Sequence, residues 1–209
     1  MEDKRRYRRL RLLTKKLNKE RKRQAKKIDI LCNDLIAAQR EFIKRLDTMS
    51  FRAHFYESIV GTTDLGGLLS YADKQIKDRI KDSHIAFFLR QQDGFELYQD
   101  ESDGPITLGK EDIENCFTAE LVDNICRSNK ICTLDDMFAM GLEGNLVKLN
   151  SISAATIPIG RLGSSLGFIL IYRPFRKRLT REELIDISSI VPGLSRAIES
   201  CRMFLRSTD

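Results

Sequence analysis

The stretch from Ser151 to Pro174, SISAATIPIGRLGSSLGFILIYRP, constrains this chain more than any other. Two apolar runs, Ile152 to Ile159 and Leu166 to Tyr172, flank a turn set of Gly160, Gly163, Ser164 and Ser165. Each run has the length and β-branched content of a buried strand, and the glycines and serines between them read as a hairpin. The second run is apolar on both alternate faces, with Phe168, Leu170 and Tyr172 on one and Ile169 and Ile171 on the other. Such a strand lies mid-sheet, covered above and below. The chain after residue 50 therefore has to supply two covers.

The elements around the hairpin can be read in order. Residues 51–62 continue a preceding helix and stop at Gly61. Asp64 is an N-cap for a helix whose apolar stripe is Leu65, Leu68 or Leu69, Ala72, Ile76 and Ile80. HIAFFLRQ is a strand, Gln92-Asp93-Gly94 a turn, and FELYQ the partner strand. Residues 100–112 read as a loop, Ile113 to Ser128 as a short helix, and Ile131 to Leu134 as a short strand. Asp135 to Asn150 reads as irregular, broken by Gly141 and Gly144. Thr180-x-x-Glu183 is a capping box that opens the last helix, inside which Pro192 is expected to make a kink. The sum is an α+β fold: an antiparallel sheet with helices on one face and an irregular lid, residues 100–150, on the other.

The first fifty residues are of another kind. They hold neither Pro nor Gly and are rich in helix formers. Of the chain's 36 Lys and Arg, 14 lie in residues 1–27 beside 3 of its 30 acids, a net of +11, whereas the remaining 22 and 27 leave residues 28–209 at −5. The chain is thus a basic arm, residues 1–27, on a mildly acidic remainder, and by domain it divides into an N-terminal helix, residues 1–50, and a body, residues 51–209. With Ile28 at a heptad a position, the seam reads Ile28, Leu31, Leu35, Ala38 and Phe42, with Met49 beyond. Ile28, Leu31, Leu35 and Phe42 are the expected dimerisation residues of a homodimer. Arg45 falls on the seam beside Leu46, where the coil ends or changes phase. Backward, Leu17 and Leu10 share the seam with Gln24, Arg21 and Thr14, a poorer coil. Three readings fit the arm: a solvated helical extension, a contact for nucleic acid or anionic lipid, or a contact for an acidic protein. Tyr7 is its one aromatic residue, which counts against single-strand stacking.

Five cysteines at irregular spacing form no C-x-x-C pair and no zinc pattern. Free thiols and a cytoplasmic setting are expected. No apolar run approaches the roughly 18 residues of a membrane span. No Ser-His-Asp set, metal-spaced carboxylates or phosphate-cradling Gly loop is present, so the expectation is a non-enzyme without catalytic residues, metal or cofactor. His84 opens a strand and is a weak haem-ligand candidate beside the simpler reading of a half-exposed histidine. Cys116, Cys126 and Cys132 share one segment without an activating base, the pattern of inert buried thiols. The paired acids Glu182 and Glu183 are accounted for by the helix start alone.

The order of these elements resembles a GAF domain. The matching pieces are Asp64-Leu65-x-x-Leu68-Leu69, His84 to Leu97, Ile131 to Asp136, Ser153 to Ile159, Leu166 to Ile171, and Leu179-Thr180-x-x-Glu183-Leu184 with Ala197-Ile198-Glu199. Together they cover about residues 58–204. The resemblance implies a small-molecule sensing or dimerisation module behind a transmitting helix. A ligand would sit under residues 100–150, and Phe88, Met137, Phe138 and Met140 are the ligand-binding candidates. Three subclasses fit poorly. The Asn-Lys pair of cyclic-nucleotide binders is replaced by Tyr172-Arg173, neither His54 nor His84 adjoins a Cys as in bilin binders, and residues 135–150 lack the cysteines of free methionine sulfoxide reductases.

Overall fold

A computed structural model describes residues 2–91, 94–99, 108–161 and 164–208. The chain separates into two compact units, residues 1–50 and 51–209. The first unit is helical throughout its described length and belongs to α1 (Glu2–Ile59). No Pro or Gly interrupts the helix, and the basic segment is helical like the rest. Gly61, at φ +82°, follows its end.

The second unit is built on five strands: β1 (His84–Gln91), β2 (Gly94–Gln99), β3 (Cys132–Thr133), β4 (Ile152–Arg161) and β5 (Ser164–Pro174). They form one sheet in the order β2-β1-β5-β4-β3, with every neighbouring pair antiparallel. The two-faced run is the central strand, as its pattern requires. Ile169 and Ile171 join one apolar cluster; Phe168, Leu170 and Tyr172 join the other. The hairpin is tighter than expected. Gly160 pairs with Ser165 and Arg161 with Ser164, so only residues 162–163, outside the described set, lie between the strands.

The first cluster is covered by the end of α1, α2 (Leu65–Arg79), α7 (Arg181–Ser188) and α8 (Val191–Thr208). Asp64 caps α2 by accepting from the Gly66 and Gly67 N–H groups at 3.3 and 2.6 Å. Arg79 of α2 reaches Asp186 of α7 at 2.6 Å and lies 5.4 Å over the Phe51 ring. Gly193 lies flat against Tyr56: a Cβ there would stand 2.2 Å from the Tyr56 ring. The Tyr56 hydroxyl donates to the Ser189 carbonyl at 3.1 Å. The expected single kinked C-terminal helix is instead two helices. They break at residues 189–190, and Pro192 stands in the first turn of α8, where its missing N–H costs nothing.

The other cover corrects the expected irregular lid. It consists of α3 (Lys110–Cys116), α4 (Ala119–Ser128), α5 (Leu134–Ala139) and α6 (Leu146–Asn150). The single helix expected over Ile113 to Ser128 is split where the Thr118 side chain accepts from the Leu121 N–H at 3.3 Å and starts α4. Thr133 and Asp136 form a capping box for α5, so Leu134 is helical rather than extended. Asn145 caps α6 by accepting from the Val147 and Lys148 N–H groups. Most of the expected loop at 100–112 lies outside the described residues, but its last three residues begin α3.

Candidate functional site

The lid helices meet the sheet over a small apolar cavity. Leu108, Ile113, Cys116 and Phe117 line it from the α3 side, Met137 from α5, Leu149 from α6, and Ile152, Ala154, Leu170 and Tyr172 from the sheet. Its volume is about 10 Å³, room for about one water. A second, larger cleft of about 130 Å³ adjoins it and shares Leu108, Cys116 and Leu149. Its remaining walls are polar: Asp112, Asn115, Asn145 and Lys148, with Gly144. The pair thus has an apolar interior and a polar mouth, the combination that orients a small ligand.

Two of the contacts that hold the lid border the cleft and the cavity. The Lys148 ammonium donates to Asp112 at 2.9 Å, joining α6 to α3 across the cleft. That hydrogen bond and the lysine charge hold the Asp112 carboxyl below its ordinary pKa. The Leu108 N–H donates to the hydroxyl of Tyr172, a fully buried side chain, at 3.2 Å. Burial pushes the Tyr172 phenol up, against the opposing hydrogen bonds from Leu108 and Gln99. Replacing Tyr172 by Phe removes the acceptor and strands the Leu108 N–H. The expected cost is about 1–3 kcal/mol, read as a lower denaturant midpoint with an unchanged slope. An unmoved midpoint would mean that the hydroxyl does not anchor the lid edge.

Cys116 stands between cavity and cleft. A Cβ at Gly144 would lie 2.6 Å from its sulfur, so the turn before α6 packs directly on the thiol. Burial pushes its pKa up, the Asp112 carboxylate adds to the rise, and Lys148 opposes both. A thiol kept protonated is a poor nucleophile.

The candidates from sequence are distributed unevenly. Met137 is fully buried and lines the cavity. Phe88 is buried beneath the lid, stacked 4.6 Å from Phe168 with the tilted Phe117 ring at 5.0 Å, and is not among the lining residues. Phe138 and Met140 are half-buried against the same cluster, also outside the lining. Leu108, Asp112, Asn145 and Lys148 escaped the sequence reading, and Cys116 entered it only as an inert thiol. The helix caps at Thr118, Thr133 and Asn145 are the signals that could have shown this stretch to be ordered. His84 stacks on Tyr172 at 5.1 Å, and burial, aided by the Lys77 charge, lowers its pKa. In the first unit, Ile28, Leu31, Leu35 and Phe42 are exposed, at 58%, 66%, 68% and 61%.

Among the described residues no group of three or more His, Cys, Asp or Glu is placed to hold a metal ion, and no helix is long and apolar enough to cross a membrane. No family model and no curated protein matches the sequence. Solved structures do match the fold. The GAF domain of a phosphoenolpyruvate-protein phosphotransferase from Coxiella burnetii aligns with a TM-score of 0.57 at 14% identity, over 77% of this chain and 98% of its own. A GAF domain from a Synechocystis protein, in its photoproduct state, aligns at 0.53 and 15%, over 70% of this chain and 100% of its own. The fRMsr of Staphylococcus aureus, in complex with substrate, aligns at 0.51 and 14%, over 72% and 95%. With the sheet order, the two covers and these alignments together, the chain carries a GAF-type fold.

Proposed function

We propose that this chain is a non-enzymatic regulatory module that binds a small molecule beneath the lid helices and forms a homodimer through α1. The observation that carries the reading is the two-part cavity under α3, α5 and α6, with its apolar interior and polar mouth. The two parts, about 10 and 130 Å³, together stay below the roughly 300 Å³ of a ligand pocket. Ligand entry therefore requires α3 and α6 to part, and the Lys148–Asp112 pair is the exposed contact that has to open. Solved neighbours include a protein bound to its substrate, fRMsr. Burial raises the Cys116 thiol above its ordinary pKa, which weighs against covalent chemistry at this sulfur.

Thermal-shift screening of the full chain against small metabolites tests the sensing half. At least one compound is expected to raise Tm, and Met137→Ala should weaken that shift while the apo protein stays folded. No stabilising compound across nucleotides, amino acids and organic acids would remove the ligand from the reading. Light scattering tests the other half: the expected mass is twice the chain mass of 24.1 kDa, and a monomer for Leu31→Asp with Leu35→Asp.

A further inference from the structure

The continuity of α1 places its charges and its apolar side chains in one helical phase. On a helix turning about 100° per residue, Leu10, Leu13, Leu17, Ile28, Leu31 and Leu35 fall within an arc of about 60°. Phe42, Leu46 and Met49 continue the same arc, and all nine are about half or more exposed in this unit. The apolar seam therefore reaches back to Leu10, interrupted only around Arg21 and Gln24. The 14 basic residues of the arm sort just as sharply. All but Arg6 and Arg21 fall within an arc of about 160° centred about 150° away from the seam. Three acids among residues 1–27 can neutralise few of them; Glu20 lies 4.0 Å from Arg23.

This segregation lets two copies pair along the seam, because most of the arm's charge faces away from it. It also selects among anionic partners. On a helix lying in a membrane surface the useful bases flank the apolar arc. Here they stand opposite it and would point to water. A single strand would call for stacking aromatics, and the arm holds only Tyr7. The basic arc runs from Lys4 to Lys27, about 35 Å of helix, close to the length of one duplex turn. Contacts from Lys and Arg to phosphates carry no sequence information.

We propose that residues 4–27 bind double-stranded nucleic acid through its phosphate backbone, with the α1 seams of two copies paired and their basic faces turned outward. This rests on the dimer reading above and not on the ligand. The test is fluorescence anisotropy of the full chain with a labelled DNA duplex of about two turns, in parallel with light scattering. Binding should weaken about 10³-fold or more between about 50 and 200 mM salt. The quadruple variant Lys15→Gln, Lys19→Gln, Lys22→Gln and Lys26→Gln keeps helix propensity and empties the centre of the basic arc. It should bind at least ten-fold more weakly and lose about 2–4 from the salt slope. Arg6→Gln with Arg21→Gln, off that arc, should leave the slope unchanged. A dimer that ignores duplex at low salt overturns this inference and leaves the dimer standing. A quadruple variant that binds like the wild type overturns it too, as does binding to phosphatidylserine vesicles without binding to duplex. A monomeric full chain overturns the dimer reading and this inference together.

Discussion

Replacing Gly167 by valine leaves the chain without a stable second unit. Gly167 sits in the central strand, opposite Leu89 of β1, at φ +141°. A Cβ at that position would lie 1.8 Å from the Phe88 carbonyl oxygen and 2.8 Å from its carbon. Both atoms are backbone inside the β1–β5 ladder, so no side-chain rotation relieves the clash. The strands would have to part where Phe88 and Phe168 stack and where both apolar clusters meet the sheet. The expected loss is about 4 kcal/mol or more, against a total stability of about 5–15 kcal/mol for a domain. Soluble yield and urea unfolding measure it. Gly94→Ala is the informative comparison, because φ is +149° there but nothing lies within 4 Å of the added Cβ. Its cost is conformational only, about 1–3 kcal/mol. If the two variants lose the same stability, close packing at Gly167 is not what fixes the register.

The same strand shows what the sequence can and cannot carry. Phe168 to Tyr172 alternates faces with a period of two, and both faces are apolar, so its central place and its two clusters follow from side-chain hydrophobicity alone. The Asp64 and Thr180 caps were legible because one polar residue at a fixed offset suffices to start a helix. The lid was not. Its helices are only five to ten residues long, too short for a hydrophobic period to stand out, and α4, α5 and α6 each depend on a side-chain cap of their own. The cavity suffered for the same reason. Met137 could be named from its apolar character, but Asp112 and Lys148 meet only because α3 and α6 fold onto neighbouring positions 36 residues apart. On α1 the helical phase was legible in principle, yet a heptad frame placed Leu13 and Leu46 off the seam. A turn of 3.6 residues keeps both on it.

Glu183→Ala loses about 2–4 kcal/mol, more than a helix cap alone explains. The capping box accounts for one part: the Glu183 carboxylate accepts from the Thr180 N–H at 2.8 Å. The other part was not visible in the sequence. Arg173, 7% exposed near the end of β5, donates to both Glu183 oxygens, at 3.0 and 2.8 Å, and to the Arg178 carbonyl. Removing Glu183 strands a buried guanidinium, and the loss stays below the full cost of a broken buried pair because 28% of the Glu183 side chain remains exposed. Glu183→Gln separates the two roles, since an amide oxygen still caps the helix but carries no charge to Arg173. Burial alone would raise the Glu183 carboxyl, but Thr180 and Arg173 outweigh it and hold its pKa below the ordinary glutamate value. A carboxyl depressed in the folded state stabilises it fully above the unfolded pKa and loses that contribution as pH falls through the folded one. The gap between wild type and Glu183→Gln in urea midpoint should therefore be constant near neutrality and shrink below about pH 4. A gap that persists unchanged into strong acid would show that the amide disturbs packing and that the Arg173 pair contributes nothing to holding β5 against α7.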